Sequence, residues 1–208
     1  MAIIPADEKV FMVDKRTNTT YGGSQALQDM QQWYTMQDVA DSVQPYKVFT
    51  ALLTQSGEDS PQSIGSGAVT KGVTYRIESN DGDYSNVGAP NNNEYTEFVA
   101  TIDAEPTTWG SIGLSYNAGA PVATVLENTI GNVWFTYDTV GQYNINSDVL
   151  FIDNKTAIFN KALYSWRRGI IIDVLNSSEI SIKTIALDGG NGENGLLSNT
   201  PIEIRVYN

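Results

Sequence analysis

Apolar and polar positions alternate with a period of two over much of the chain from Tyr46 onward. The run Tyr46–Thr54 is rich in β-branched and aromatic residues and is apolar on both faces, which is typical of a buried strand. Similar segments follow at intervals of roughly 8–12 residues, separated by clusters of Gly, Asn, Asp and Pro. The pattern predicts a mainly β protein with β-sandwich or barrel-like domains. The further predicted strands are Val73–Glu78, Tyr95–Ile102, Val122–Glu127, Asn132–Asp138, Gln142–Ile145, Val149–Ile152, Ala157–Asn160, Ile170–Leu175, Glu179–Leu187 and Ile202–Tyr207.

The first 45 residues show a different pattern. A short strand is predicted at Val10–Val13, and Tyr21-Gly22-Gly23 is a turn signal. Ser24 is placed to cap a short helix that ends before Pro45. The stripe on this helix either packs against the chain's own sheet or docks on a partner, so its members are candidate assembly contacts. These apolar residues recur at three- and four-residue spacing and are Leu27, Met30, Trp33 and Tyr34.

The charge balance narrows the range of partners. The chain has 24 acidic and 12 basic residues, which gives a formal net charge of −12. Phosphate backbones and anionic membranes repel a chain with this net charge. Neither nucleic acid nor a membrane is therefore expected as a partner. The acidity serves solubility, or it provides an acidic face that docks on a basic partner.

The sequence contains no cysteine and no histidine. Disulfides, thiolate metal sites and nucleophilic triads that use histidine are therefore excluded within one chain. A carboxylate pair, a Lys or Tyr base or an oxygen-ligated metal would be the remaining means of catalysis. No apolar window is long enough for a membrane span, and the N-terminus does not resemble a secretory signal. We expect a protein made in a cytoplasm, without enzymatic activity or a cofactor.

Two polar loops invite a comparison with metal sites. Asp188, Asn191 and Glu193 could offer oxygen ligands to Ca²⁺, but their spacing lacks the alternation of a calcium loop. Asn80–Asp83 has a similar composition. Both segments are predicted to be turns, because Asn, Asp and Gly suit tight backbone conformations. No metal site is therefore predicted.

Carboxylates, tryptophans and arginines provide other candidates. The acidic residues Glu94, Glu97, Asp103 and Glu105 form either a carboxylate pair for glycoside cleavage or a solvated face, and the solvated face is favoured. The aromatic residues Trp109, Trp134 and Trp166 would stack on sugars or pack in a core, and Trp134 lies in an alternating strand that favours partial burial. Arg167 and Arg168 form a polar hairpin turn, or a self-association contact with a neighbour's carboxylate.

Four segments in order resemble a recurrent phrase of phage particle proteins. The phrase begins at Pro45–Gly57, continues at Ala120–Gly131, runs into the tryptophan-bearing strand Val133–Tyr137 and ends in the turn Gly141–Tyr143. This arrangement is similar to structural appendage proteins of tailed bacteriophages, of the head-fibre or capsid-decoration type. The resemblance is strongest to crAss-like and related phages of Bacteroidetes.

The residues between the first two segments resemble a second phage module. Its marks are Gly72–Ile77, Asp83–Gly88, Glu97–Thr101 and Pro106–Gly110. We therefore predict a small β module, 62–118, inserted into a parent β domain formed by 46–61 plus 119–208. Insertion at a polar loop is tolerated because closing a longer loop adds little entropy cost. Residues 1–45 would be an N-terminal anchor.

The resemblance implies a virion structural protein on the capsid surface, most often a homotrimer, that contacts itself and the major capsid protein or other virion proteins. It carries no catalytic motif. One alternative is a tail-associated receptor-binding protein that recognises host surface glycans with exposed aromatic side chains. A glycan-degrading enzyme is a weaker alternative, because the chain is short and lacks a β-helix repeat.

Overall fold

The structure is a computed structural model that describes residues 11–14, 19–22, 45–160, 168–186 and 190–208. The chain divides into two compact units, 1–45 and 46–208. In the first unit, β1 (Phe11–Asp14) pairs antiparallel with β2 (Thr19–Gly22). Of the predicted turn signal Tyr21-Gly22-Gly23, the first two residues belong to β2, and Gly23 lies outside the described residues. The predicted helix with Leu27, Met30, Trp33 and Tyr34 lies outside the described residues.

The second unit consists mainly of antiparallel strands, which confirms the predicted mainly β fold class. A short 3₁₀ helix, Ser85–Val87, accompanies them. In the described part of the chain, no helix has the length and hydropathy needed to cross a membrane. The strands are β3 (Tyr46–Thr54), β4 (Pro61–Ile64), β5 (Thr74–Ile77), β6 (Glu97–Val99), β7 (Leu114–Asn117), β8 (Val122–Asn128), β9 (Val133–Thr139), β10 (Gln142–Ser147), β11 (Thr156–Asn160), β12 (Arg168–Asn176), β13 (Glu179–Ala186) and β14 (Thr200–Tyr207).

Two four-stranded sheets form a β-sandwich. One has the strand order β12-β13-β10-β9, and the other has the order β11-β14-β3-β8. Inward-facing residues alternate with outward-facing ones, so that Tyr143 and Ile145 from the first sheet meet Phe49, Ile202 and Ile204 from the second. Burial of this shared apolar surface is the main force that holds the two sheets together.

A third sheet, with the order β4-β7-β5-β6, lies entirely within residues 61–117. It has an apolar core of its own, which includes Tyr75, Ile77, Tyr84, Phe98 and Leu114. The chain leaves the sandwich after β3 and returns to it at β8, and β4 and β7 pair where it leaves and returns. We call residues 61–117 the nested sheet region.

The predicted strand Val149–Ile152 is wrong. These residues form a bend and a loop, in which Val149 has a positive φ of 59°. Phe151 is fully buried in the sandwich core, and its N–H donates to the Ser177 carbonyl at 2.9 Å. The apolar character of this segment therefore comes from a side chain that anchors a loop, and strand pairing plays no part. Conversely, β2, β4 and β7 were not predicted, because they are four-residue strands of mostly polar composition.

Candidate functional site

Two glycines lie against each other where the chain leaves and re-enters the sandwich. A Cβ on Gly57 would clash with the backbone carbonyl of Ala118, and a Cβ on Gly119 would clash with that of Glu58. Neither neighbour is a flexible side-chain end that could move aside. Glycine at both positions therefore allows the two chain crossings to run side by side.

Gln55 is a buried hydrogen-bonding centre at the same place. Its Nε2 donates to the carbonyls of Gly57 at 2.6 Å and Gly119 at 3.1 Å. Its Oε1 accepts the Gly195 N–H at 2.6 Å and lies 2.8 Å from the hydroxyl of Tyr143. One side chain thus links both crossings to the sandwich core and to the loop before β14.

The surroundings of Tyr143 make its phenol hard to ionise. The single hydroxyl hydrogen can be donated to Gln55 or to Asn194 Oδ1, which lies 2.9 Å away. Burial, which disfavours the phenolate, raises the pKa of Tyr143 to about 12, although Thr184 opposes the shift and Tyr137 adds to it. The network therefore requires a protonated tyrosine.

Three further hydrogen bonds attach the nested sheet region to the exposed edges of the sandwich. The Phe135 N–H on β9 donates to Thr74 Oγ1 at 3.0 Å, and the Asn132 Nδ2 donates to the Glu97 carbonyl at 2.9 Å. On β8, the Ala123 N–H donates to the Gly72 carbonyl at 2.9 Å. Both edge strands on this side of the sandwich, β8 and β9, are therefore hydrogen-bonded to the nested sheet region.

A groove of about 360 Å³ runs between the nested sheet region and β9, and we call it the junction groove. The Phe135 N–H points away from β10, and alternation in an antiparallel pair directs the backbone groups of Tyr137 to the same side. Alternation along β5 and β7 places the side chains of Thr74, Arg76 and Ser115 on the face that meets β9, whereas Tyr75 and Tyr116 pack into the apolar core on the opposite face. The groove is therefore bordered mainly by hydroxyl, charged and backbone polar groups. Its lining residues are Pro61, Gln62, Ser63, Thr74, Tyr75, Arg76, Glu97, Ser115, Tyr116, Asn117, Ala120, Phe135, Thr136 and Tyr137.

Arg76 is the cation of the junction groove, and it is already paired. Its guanidinium lies 2.8 Å from the Glu78 carboxylate, which also accepts a hydrogen bond from the Ser115 hydroxyl. Burial alone would raise the pKa of Glu78, but these hydrogen bonds outweigh it and lower that pKa. Arg76 also lies over the ring of Tyr95, with 5.6 Å to the centroid.

Glu97 borders the groove opposite Arg76 in the β5–β6 register. Burial raises the pKa of Glu97, and the nearby Trp134 indole and Arg76 guanidinium oppose this shift only in part. The buried Nε1 of Trp134 nevertheless has no hydrogen bond of good geometry. Because Glu78 neutralises Arg76, Glu97 leaves an excess of negative charge at the groove.

A second cavity, of about 460 Å³, lies beside β8. Its wall is largely apolar and includes Phe49, Val99, Val125 and Val133, with Lys71 as its charged member. Its lining includes Ala123 and Asn132, whereas Thr74 and Phe135 line the junction groove.

The predicted assembly contacts fall mostly outside the described residues. This applies to Leu27, Met30, Trp33 and Tyr34 and also to Arg167. Arg168 is the first residue of β12, and only its backbone is described. Their role in assembly stays a prediction.

Of the two loops compared with calcium sites, the first has a turn at Asn80-Asp81, as predicted. The described part of the second combines an isolated bridge from Gly192 to Ile185 with a turn at Asn194-Gly195. Asp81 accepts the Ser111 N–H at 2.9 Å, and this hydrogen bond lowers the pKa of the Asp81 carboxyl. Asp83 accepts the Ser85 hydroxyl at 2.7 Å and the Ser85 N–H at 3.1 Å, and these bonds lower the pKa of the Asp83 carboxyl. Asp188 lies outside the described residues. The Asn191 carbonyl accepts the Ala186 N–H, and the Glu193 N–H donates to the Thr184 carbonyl. Within the described ranges, no group of three or more acidic residues could hold a metal ion.

The acidic residues considered for glycoside cleavage have separate surroundings. Glu97 lies on β6, whereas Glu94, Asp103 and Glu105 lie in loops, where Asp103 accepts the Lys71 N–H at 2.8 Å. Among the tryptophans, Trp109 packs edge-on against Tyr84, and Trp134 is half-buried as its strand pattern predicted. Trp166 lies outside the described residues.

Sequence reasoning did not identify the junction groove. Arg76 was not a candidate site residue, although its place between apolar neighbours on a predicted strand indicates a face directed away from the core. Comparisons with protein-family models, curated proteins and solved structures returned no significant match to the chain.

Proposed function

We propose that this chain is a structural protein of a tailed-bacteriophage particle, a homotrimeric head fibre or capsid-decorating protein anchored through residues 1–45. The phage-like phrases in the sequence supply the context. The assembly role is supported by exposed apolar side chains on the edge strands of the sandwich that lie opposite the junction groove.

That surface lies on β11 and β12. The nested sheet region is bonded to β8 and β9, so β11 and β12 are the edges on the other side of the two sheets. On β12, Ile171 and Leu175 are 45% and 56% exposed on one face, and on β11 Phe159 is 50% exposed. Within the described ranges no strand pairs with the outer edge of β12. An isolated chain leaves this edge open to uncontrolled pairing, whereas assembly covers it.

A test combines the location of the protein with its mass. Immunogold electron microscopy with an antibody against residues 62–118 should label the heads of intact particles, and light scattering should give the mass of a trimer. The variant Leu175→Lys should shift the mass towards the monomer. Ile112→Lys, which changes a side chain that is 65% exposed in the nested sheet region, is the matched control and should leave the trimer intact. A monomeric wild-type chain without label on particles would contradict the proposal.

The alternative, a tail-associated receptor-binding protein that recognises host glycans, is favoured by a different observation. The junction groove is a concavity of about 360 Å³ that residues with hydroxyl groups, such as Thr74 and Ser115, help to line. Label confined to the tail tip would support this alternative over the head-fibre proposal.

A further inference from the structure

We infer that the outer edge of β12 in one copy of the chain pairs antiparallel with the outer edge of β11 in a second copy. This contact would hold together the homotrimer of the proposed function, on which the inference therefore rests. It is supported by the directions of the backbone groups on the two edges, by the side chains on both faces of the strands and by the charges beside them.

The backbone groups on the free edge of β12 belong to alternate residues. On β13, the Thr184 N–H donates to the Gly141 carbonyl at 2.8 Å, on the side of β10. The neighbouring Lys183 therefore directs its backbone groups to β12, where it lies opposite Ile171. The even-numbered residues of β12 then direct their N–H and C=O groups away from the sheet. They include Ile170, Ile172 and Val174.

The free edge of β11 has the same pattern. The Tyr207 N–H on β14 donates to the Lys155 carbonyl at 2.9 Å, immediately before β11. Odd-numbered residues of β11 therefore bond to β14, and even-numbered residues direct their backbone groups outward. These residues are Thr156, Ile158 and Asn160. Among the described strands, none pairs with either edge, so both edges offer hydrogen-bonding groups at the spacing of an antiparallel ladder.

Apolar side chains would meet on both faces of such a pair. In the register that places Ile158 opposite Ile172, both side chains face the sandwich core, against which each is only partly buried. On the outer face, Phe159 lies opposite Ile171, and the two side chains are 50% and 45% exposed in the single chain. A second copy therefore covers apolar surface on both faces at once.

The charges favour the same register. It places Asp173 opposite Ala157 and diagonal to Lys155, so a negative and a positive side chain come within reach of each other. A shift by two residues would set Phe159 against either Asp173 or Gly169 and lose its apolar partner. Pairing of β12 with a second β12 would close a two-fold dimer, whereas three contacts between β12 and β11 close a ring, as a trimer requires.

The test is a disulfide between copies of the full chain, which contains no cysteine of its own. The double variant Phe159→Cys with Ile171→Cys places one thiol on each edge. The two Cα atoms would lie about 4.5 Å apart in the inferred ladder, within the range of a disulfide. Oxidation should therefore link each copy to the next and give a covalent trimer on a non-reducing gel. The two thiols of one chain cannot bridge, because they lie on the outer faces of opposite sheets.

The control variants test the partner of each edge. Phe159→Cys alone and Ile171→Cys alone should form no disulfide. Ile112→Cys combined with Ile171→Cys moves one thiol to an exposed position of the nested sheet region and should give no covalent trimer. All these positions are about half exposed or more, so the variants are expected to fold.

The outcomes separate this contact from the proposed function. A covalent trimer that only the double variant forms supports the pairing. A covalent dimer of Ile171→Cys alone would assign the edge to a second β12 and overturn the inference. A trimeric mass by light scattering without any cross-link would also overturn it, while the homotrimer of the proposed function would stand. A monomeric mass would overturn both.

Discussion

Gln55→Leu should be strongly destabilising, although leucine is similar in size to glutamine and leaves no large cavity. The substitution removes the acceptor of the Gly195 N–H and the donor to the carbonyls of Gly57 and Gly119. Tyr143 keeps Asn194 as an acceptor for its hydroxyl. Each of the three lost hydrogen bonds contributes about 1 kcal/mol, which gives a loss of about 3 kcal/mol in the free energy of unfolding.

The measurement is urea unfolding of the full chain, followed by tryptophan fluorescence. With a slope of about 2 kcal/mol per molar urea, a loss of 3 kcal/mol lowers the midpoint by about 1.5 M. Gln62→Leu is the matched control, because the Gln62 side chain is exposed and its amide donates to the Ser60 hydroxyl at 2.9 Å. Its effect should stay within about 0.5 kcal/mol. An equal midpoint for the two variants, with unchanged slopes, would refute the reasoning that Gln55 holds the crossings to the sandwich.

The remaining predictions concern a close backbone approach and two shifted pKa values. Gly119→Ala should lower the free energy of unfolding by about 1–3 kcal/mol, because the added Cβ clashes with the Glu58 carbonyl. Gly65→Ala, with open space around it, should be neutral or slightly stabilising. Comparable urea midpoints for the two variants would speak against the close packing. Because the pKa of Tyr143 is raised to about 12, the folded state keeps the phenol proton above about pH 10, where the unfolded state loses it. The free energy of unfolding should therefore fall between pH 10 and 12, and more steeply in the wild type than in Tyr143→Phe. Parallel pH profiles for the two proteins would contradict this. Burial raises the pKa of Glu97, so its charged form disfavours folding, and Glu97→Gln should unfold at higher urea than the wild type at pH 7. This difference should decrease as the pH falls through the raised pKa of Glu97. A difference that is the same at pH 4 and pH 7 would disprove the assignment.

The long strands of the sandwich could be predicted because their own residues determine them. The predicted strand Tyr46–Thr54 has the same bounds as β3. It is rich in β-branched and aromatic residues, and it pairs with a strand on each side. By contrast, β4 and β7 contain Gln, Ser and Asn and become strands because they pair with each other. Local composition carries no signal for such pairing.

The junction groove could not be predicted for a related reason. Its walls come from β4, β5, β7 and β9, which are separated along the chain by long stretches of other structure. Ser115 and Thr136 each look like ordinary strand residues in isolation. Only the attachment of Thr74 to Phe135 brings them to one concavity, and a hydrogen bond between residues 61 positions apart has no local sequence signature.

The position of β14 in the middle of its sheet has a consequence for the order of folding. β14 lies between β11 and β3, so that Thr200 is opposite Leu53 and Tyr207 is opposite Tyr46. Such pairings between distant residues form slowly, because a long loop must close before any contact is gained. During synthesis, all strands of the nested sheet region have emerged before β8 exists, while β3 waits for a neighbour that is translated last among the described strands. The sheet that contains β3 therefore cannot be completed until β14 has been synthesised, by which time the nested sheet region has had time to fold.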